Sequence, residues 1–430
     1  MLYLIPQLIG GFIVALGYYF VILEERYHLK KSVAMIVSAT VLWIFIGLSQ
    51  ILPKEELGDV FAHEFLGFCE IFFFITVAMT YVLSLEDFGF FQTLHQFFAK
   101  HRLSTRGLFW MTGLAAFCLS PFLDNLTTAL LMGQILLSFA PKETGLIRLG
   151  LINLVLAANA GGVFSPFGDL TSLMIWQRGF VSTFSFRYLF IPALLSYIVP
   201  AVLLSLQLEN KILTPQAQKD SSLHGCGAIA MLFVCTIAFT LLSEHFFGLP
   251  AVFGMLAGLG LIALYEHHHH GRLTTTLFSR LHRMDWDTLL FFYGIMLSIE
   301  GLKVLGVLAV LSDTLYHSIP NFFGLHSVLW ASTMGHVLIG LLSALIDNIP
   351  MMAAVLKMNL ELPLGSWLLL TLATGIGGSL LSIGSAAGIA LMGLSKKHYT
   401  FQSHLKWTPI ILLGYAVGIS SHFWLNAGLF

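Results

Sequence analysis

Two aspartate–asparagine pairs, Asp124-Asn125 and Asp347-Asn348, interrupt otherwise apolar segments of the chain. A third acid, Asp169, closes the stretch Asn159-Ala-Gly-Gly162-Val-Phe-Ser165-Pro166-Phe-Gly168-Asp169-Leu-Thr171-Ser172. Hydrocarbon charges about 2.5–3.5 kcal/mol for an aspartate at mid-depth even on the lenient insertion scale. A helix cap could use serine or asparagine without that cost, so these acids point to chemistry. Carboxylates flanked by neutral oxygens suit a small hard cation. They also titrate, and burial or a neighbouring carboxylate raises their proton affinity. A proton and Na+ then compete for one negative site. Asp124 and Asp169 are the leading cation ligands and Asp347 a second acid. Asn125, Thr128 and Asn348 can supply neutral oxygens. Asn159, Ser165 and Thr171 can do the same, or can satisfy freed backbone groups instead.

The elements that carry these residues follow from composition. Of 430 residues, 57% are hydrophobic and only 10% charged, and the mean hydropathy is +0.85. A soluble domain carries about 25% charged residues, so the chain reads as a polytopic, all-α membrane protein. The net charge of −1 and the absence of a basic patch argue against a nucleic-acid partner. Cys69, Cys118, Cys226 and Cys235 lie in or against apolar segments without metal or redox spacing and read as packing residues. Residues 1–23 lack a basic n-region and read as a first span, not a signal peptide.

Spans of roughly 20 apolar residues are expected at 3–23, 33–52 and 66–85, with an amphipathic piece at 86–99. The segment 107–140 reads as a re-entrant hairpin with Asp124-Asn125 at its tip. The segment 146–176 is a broken span, because its glycines and proline remove helix propensity and a backbone donor. A span at 186–207 and a polar cytoplasmic linker at 209–223 follow. The second half repeats the order: spans at 226–243, 246–265 and 288–311, a hairpin at 325–357, a broken span at 364–395 and a last span at 408–428. Short matches mark the repeat. Leu83-Ser-Leu-Glu86 returns as Leu297-Ser-Ile-Glu300, Asp124-Asn125 as Asp347-Asn348, and Gly161-Gly162-x5-Gly168 as Gly377-Gly378-x5-Gly384. On that alignment Ser385 stands where Asp169 does, and Ser379, Ser382 and Ser385 offer neutral oxygens only.

The expected fold is therefore two inverted repeats, 1–208 and 224–430, each with five transmembrane helices, one of them broken, plus one re-entrant hairpin. Five crossings per repeat put the second half on the opposite face. Sixteen lysines and arginines fall in loops of one face and three in loops of the other, which makes the first face cytoplasmic and places both termini outside. Glu86 and Glu300 read as interfacial ends as readily as a proton path, and Lys303 as a helix-face partner of Glu300. Glu64 reads as interfacial and His336 as a satisfied buried histidine. His267–His270 read as a solvated loop that titrates near neutral pH. The glycine stretches lack the lysine and strand of a phosphate loop.

The stretches Asp124-Asn-Leu-Thr-Thr-Ala, Asn159 to Asp169 and Asp347-Asn-Ile-Pro-Met resemble signatures of the NhaD-type Na+/H+ antiporters of the ion transporter superfamily. The resemblance runs through nearly the whole chain in element order. It implies export of Na+ or Li+ against H+ in a bacterial inner membrane and no cofactor beyond the transported ions. It further implies homodimers in a lipid membrane and elevator-like movement of hairpins and broken helices. It places cation ligands at Asp124, Asn125, Asp169 and Asp347. Two rivals share this fold: a Na+-coupled dicarboxylate-type symporter, which the acidic hairpin tips disfavour, and an arsenite permease. A channel or scaffold predicts no paired broken helices. An intramembrane aspartyl protease needs two acids sharing a proton, so an enzyme ranks last.

Overall fold

The computed structural model describes residues 4–100, 103–213, 226–268, 277–395 and 397–430. These are helical almost throughout. In the first half the helices are α1 (Leu4–Ile22), α2 (Glu24–Tyr27), α3 (Lys31–Ser49), α4 (Lys54–Asp87), α5 (Phe90–Ala99), α6 (Thr105–Leu123), α7 (Asn125–Phe139), α8 (Thr144–Gly162), α9 (Leu170–Gln177) and α10 (Phe190–Leu206). In the second half they are α11 (Cys226–Phe247), α12 (Ala251–His268), α13 (Leu277–Arg283), α14 (Trp286–Val304), α15 (Val307–Asp313), α16 (Ile319–Phe322), α17 (Val328–Leu342), α18 (Asn348–Leu356), α19 (Leu364–Gly377), α20 (Ala386–Leu394), α21 (Phe401–Leu405) and α22 (Thr408–Leu425). Among the described residues nine helices are long and apolar enough to cross a membrane. The protein is a multi-pass membrane protein.

Most element positions match the sequence reading; three differ. Helix α4 begins at Lys54, not near 66, and runs 34 residues as one element. Nothing between 54 and 66 breaks a helix, and its acidic residues Glu55 and Glu56 favour a helix N-terminus. The expected span at 288–311 stops at Val304, because Gly306 adopts a left-handed φ of 77°. Helix α6 is 19 residues long, longer than the hairpin arm expected there. Residues 214–223 of the expected linker lie outside the described residues, as do His269 and His270.

The chain forms two compact units, and each takes a segment from both halves of the sequence. The first comprises 1–90 and 222–312. Its core joins α1, α3 and the end of α14 through Val14, Leu42, Ile46 and Leu305. Gly294 lets α14 approach α3, since a Cβ there would sit 2.7 Å from the Met35 carbonyl carbon. Arg280 is fully buried, bonded to Asp87 at 2.6 Å and to Glu266, while Arg283 pairs with Asp87 and Glu86. Glu300 pairs with Lys303 at 3.2 Å, as its spacing suggested. Glu64, read as interfacial, is buried.

The second unit comprises 91–221 and 313–430 and holds α6–α10 and α16–α22. Helices α8 and α19 are buried along nearly their whole length, which explains why both are apolar on every face. The glycine motifs set how these helices meet α6 and α17. A Cβ on Gly161 would collide with the Phe117 carbonyl oxygen of α6, and one on Gly377 with the Gly340 carbonyl oxygen of α17. Ser120 donates to the Ala158 carbonyl at 2.6 Å, and the Ser343 hydroxyl lies between the Gly340 carbonyl of its own turn at 2.8 Å and the Thr374 carbonyl at 3.0 Å. The positions correspond at the same spacings as the repeated motifs. His336 on α17 is buried, but neither ring nitrogen has a hydrogen-bond partner among the described residues, against the satisfied histidine expected. The four cysteines are free, but they are not the packing residues expected: Cys69 and Cys226 are half-buried, and Cys118 and Cys235 are exposed on the outer faces of α6 and α11.

Candidate functional site

Each of α8 and α19 stops inside its apolar segment, and a short second helix resumes after the break. The break after α8 covers residues 163–169 and that after α19 covers 378–385. Glycines pinch both. Gly162 and Gly168 approach so closely that a Cβ on Gly162 would lie 2.8 Å from the Gly168 carbonyl oxygen. The same distance at Gly378 and Gly384 is 2.7 Å. Only glycine permits this approach, so each break closes on itself and presents its polar residues to one place.

Asp169 caps α9: its Oδ1 accepts the Thr171 amide at 3.1 Å. Its Oδ2 faces the N-termini of α7 and α18. Asn348, the first residue of α18, donates its amide to that oxygen at 3.0 Å. Asn125, the first residue of α7, approaches it at 3.4 Å and donates to Asn159 Oδ1 at 3.1 Å. Asn159 in turn donates to Ser379 Oγ at 2.8 Å and Ser385 Oγ at 3.0 Å. The second break thus receives Asn159 from the first. Asp169, Asn159 and Asn348 are buried, and the carboxylates of Asp347 and Asp124 are near enough to act on Asp169 by charge.

The remaining expected site residues divide. Thr128, Thr171, Ser382 and Ser385 are buried. The hydroxyls of Thr128, Thr171 and Ser382 have no hydrogen-bond partner among the described residues, so their oxygens are available to a ligand. Ser385 caps α20, accepting the Gly388 amide at 3.3 Å, which is the role Asp169 plays at α9. Ser165 donates to the Pro121 carbonyl at 2.8 Å and serves the backbone. Asp347 occupies the N-cap position of α18 and is half-buried. Asp124 caps α7 with both oxygens, accepting the Thr127 amide and hydroxyl at 2.8 Å each. Its φ of 57° and ψ of 159° are costly for a residue with a Cβ, by about 1–3 kcal/mol, and such strain concentrates at functional sites. Among the described residues no three His, Cys, Asp or Glu side chains gather as a metal-binding group. A cation here would rest on one or two carboxylates completed by amide and hydroxyl oxygens.

Ser120 and Ser343, which tie α6 to α8 and the end of α17 to α19 just before the breaks, escaped the sequence reading. Their signal was available: Ser120 lies four residues before Asp124 and Ser343 four before Asp347.

The comparisons with known proteins bear on the whole chain. The family model described as "CitMHS: Citrate transporter" matches residues 18–375. The Na+/H+ antiporter NhaD of Alkalimonas amylolytica is 41% identical, over 98% of this chain and 91% of that protein. The Na+/H+ antiporter NhaD of Vibrio cholerae is 40% identical, over 96% of this chain and 91% of that protein. Sodium/proton antiporter 1 of Arabidopsis thaliana is 33% identical over 95% of this chain and 70% of that protein. The crystal structure of the YdaH transporter of Alcanivorax borkumensis superposes with a TM-score of 0.51 at 12% identity, covering 98% of both chains. That likeness concerns the fold alone. Identity of this extent along nearly the full length places the chain in the family of NhaD-type Na+/H+ antiporters, within the broader CitMHS citrate transporter family.

Proposed function

We propose that this protein exchanges Na+ or Li+ for H+ across a bacterial inner membrane. One observation carries the reading: a buried carboxylate, Asp169, sits in a helix break and receives amide groups from both hairpin tips. An amide that donates to a carboxylate can turn its oxygen to a cation bound there. The site can thus hold Asp169 in its protonated form or Asp169 with Na+, and only one at a time. Asp124, Asn125, Thr128, Asn159, Thr171, Asp347, Asn348, Ser382 and Ser385 complete the ligand set around it, and Ser165 holds the first break in shape. Both breaks and both hairpin tips belong to one compact unit, which suits elevator-like movement of the loaded site as a body. The repeats 1–208 and 224–430 are inverted, each with five spans and a hairpin, and both termini face outward. The protein acts as a homodimer in the lipid bilayer. The family model's description raises citrate as a rival cargo, but acids at both hairpin tips repel an anion.

The test uses everted vesicles with an acid interior and a pH-sensitive dye. Na+ or Li+ releases protons promptly in the wild type, and citrate does not. Asp169→Asn at normal protein level abolishes the response; retained Na+-driven proton movement in that variant sinks the assignment.

A further inference from the structure

The second break is held from outside by a short segment that no motif marks. A helix leaves its last carbonyls without intrahelical donors, and a buried carbonyl needs one. Past α19, the Ser379 carbonyl lies 2.9 Å from His404 Nε2, and the next carbonyl, Leu380, accepts the Thr408 hydroxyl at 2.8 Å. A carbonyl only accepts, so Nε2 carries the ring proton and Nδ1 is bare. Nδ1 then accepts the Tyr399 hydroxyl at 2.7 Å. Tyr399 and His404 are both fully buried, in the stretch between α20 and α22. Burial holds His404 down at about 4, so the ring stays neutral and in this tautomer. The Thr400 capping box fixes α21 and so the place of His404 on the chain.

Ser379 faces two ways. Its carbonyl goes to His404, and its hydroxyl accepts Asn159, which takes the Asn125 amide, which reaches Asp169. In the first break the carbonyl at the matching position, Val163, is served from within the broken span, accepting the Ser172 hydroxyl of α9 at 3.4 Å, and the Ser165 hydroxyl turns to the backbone of α6 at Pro121. From this asymmetry we infer that His404, set by Tyr399 and assisted by Thr408, is a positioning residue: it fixes the second break so that Ser379 and Asn159 hold the cation site in its binding geometry. The role as part of an ion site rests on the exchange reading above.

The experiment compares His404→Leu, His404→Gln and Thr408→Val with wild type in the vesicle assay. His404→Leu and Thr408→Val raise half-saturating Na+ about tenfold at unchanged maximal rate per molecule. Glutamine can present an amide donor to the Ser379 carbonyl, so His404→Gln stays within about twofold of wild type. A merely structural role would lower protein amount and rate together and leave half-saturation alone; that result, or equal shifts for Leu and Gln, overturns the inference. If His404→Leu fails to fold, Thr408→Val and His404→Gln carry the test. A wild type without Na+-driven proton movement would overturn the exchange reading instead. The clamp is then read by amide hydrogen exchange across 378–385, faster in Thr408→Val than in wild type; equal exchange overturns it.

Discussion

Asn348 tests the Asp169 hub most directly. Truncation by Asn348→Ala removes the 3.0 Å amide donor from Asp169 Oδ2 and takes away the amide oxygen that could turn to the ion. A hydrogen bond to a charged group contributes about 1.5–3 kcal/mol, and 1.4 kcal/mol is tenfold in an equilibrium constant. Half-saturating Na+ should rise about ten- to a hundredfold. The proper control is the same truncation at an equally buried amide. Asn153 on α8 is fully buried and donates to the Phe109 carbonyl at 3.0 Å, with no contact to Asp169. Asn153→Ala should lower the unfolding temperature as Asn348→Ala does, yet leave half-saturating Na+ within about twofold of wild type. The assay is dye-reported proton release from everted vesicles over a Na+ titration, with protein amount measured in the same membranes. An unshifted Asn348→Ala, or an equal shift in Asn153→Ala, refutes the argument that these amides act through Asp169.

Two further outcomes follow from packing. Gly162→Ala and Gly378→Ala each drive a Cβ to within 2.8 Å or less of a backbone carbonyl oxygen, where nothing can yield, and overpacking costs about 1–3 kcal/mol. Both should reduce exchange at least tenfold, while Gly145→Ala, with open space around it, should behave as wild type in the same assay. Arg280→Ala leaves Asp87 and Glu266 facing each other without their shared cation, at about 3–5 kcal/mol for a broken buried pair. The unfolding temperature in detergent should drop sharply, and an unchanged value would show that the pair contributes nothing.

Much of the candidate site was legible before any coordinates. Acids in apolar segments are costly, so Asp124, Asp169 and Asp347 stood out by type alone, and glycine-proline clusters marked the first break. The ranking among the acids was not legible. Asp124 and Asp169 looked equivalent, yet Asp124 uses both oxygens on its own helix cap while Asp169 collects amides from the starts of α7 and α18. A sequence shows that a residue is able to cap; which oxygen remains free depends on rotamers and neighbours hundreds of positions away. Ser120 and Ser343 were hidden because a serine in an apolar helix usually bonds its own turn. His404 was hidden because its two partners, one near and one 25 residues distant, become visible together only when the chain is folded.

Hydropathy and periodic breaks, which depend on local composition and the length of a bilayer, determined from the sequence alone that the chain is helical, that it crosses a membrane many times, and where nearly every helix lies. Packing decided the rest. The sequence divides into halves, but the compact units do not: each is built from one segment of each half. Burial is settled between helices, by shape and by the close approach of Gly161, Gly377 and their partners, and no window along one helix carries that information. For the same reason the meeting of Asn125, Asn159, Asp169, Asn348 and Ser385 at one place belongs to the tertiary structure, since each is positioned by a different helix end.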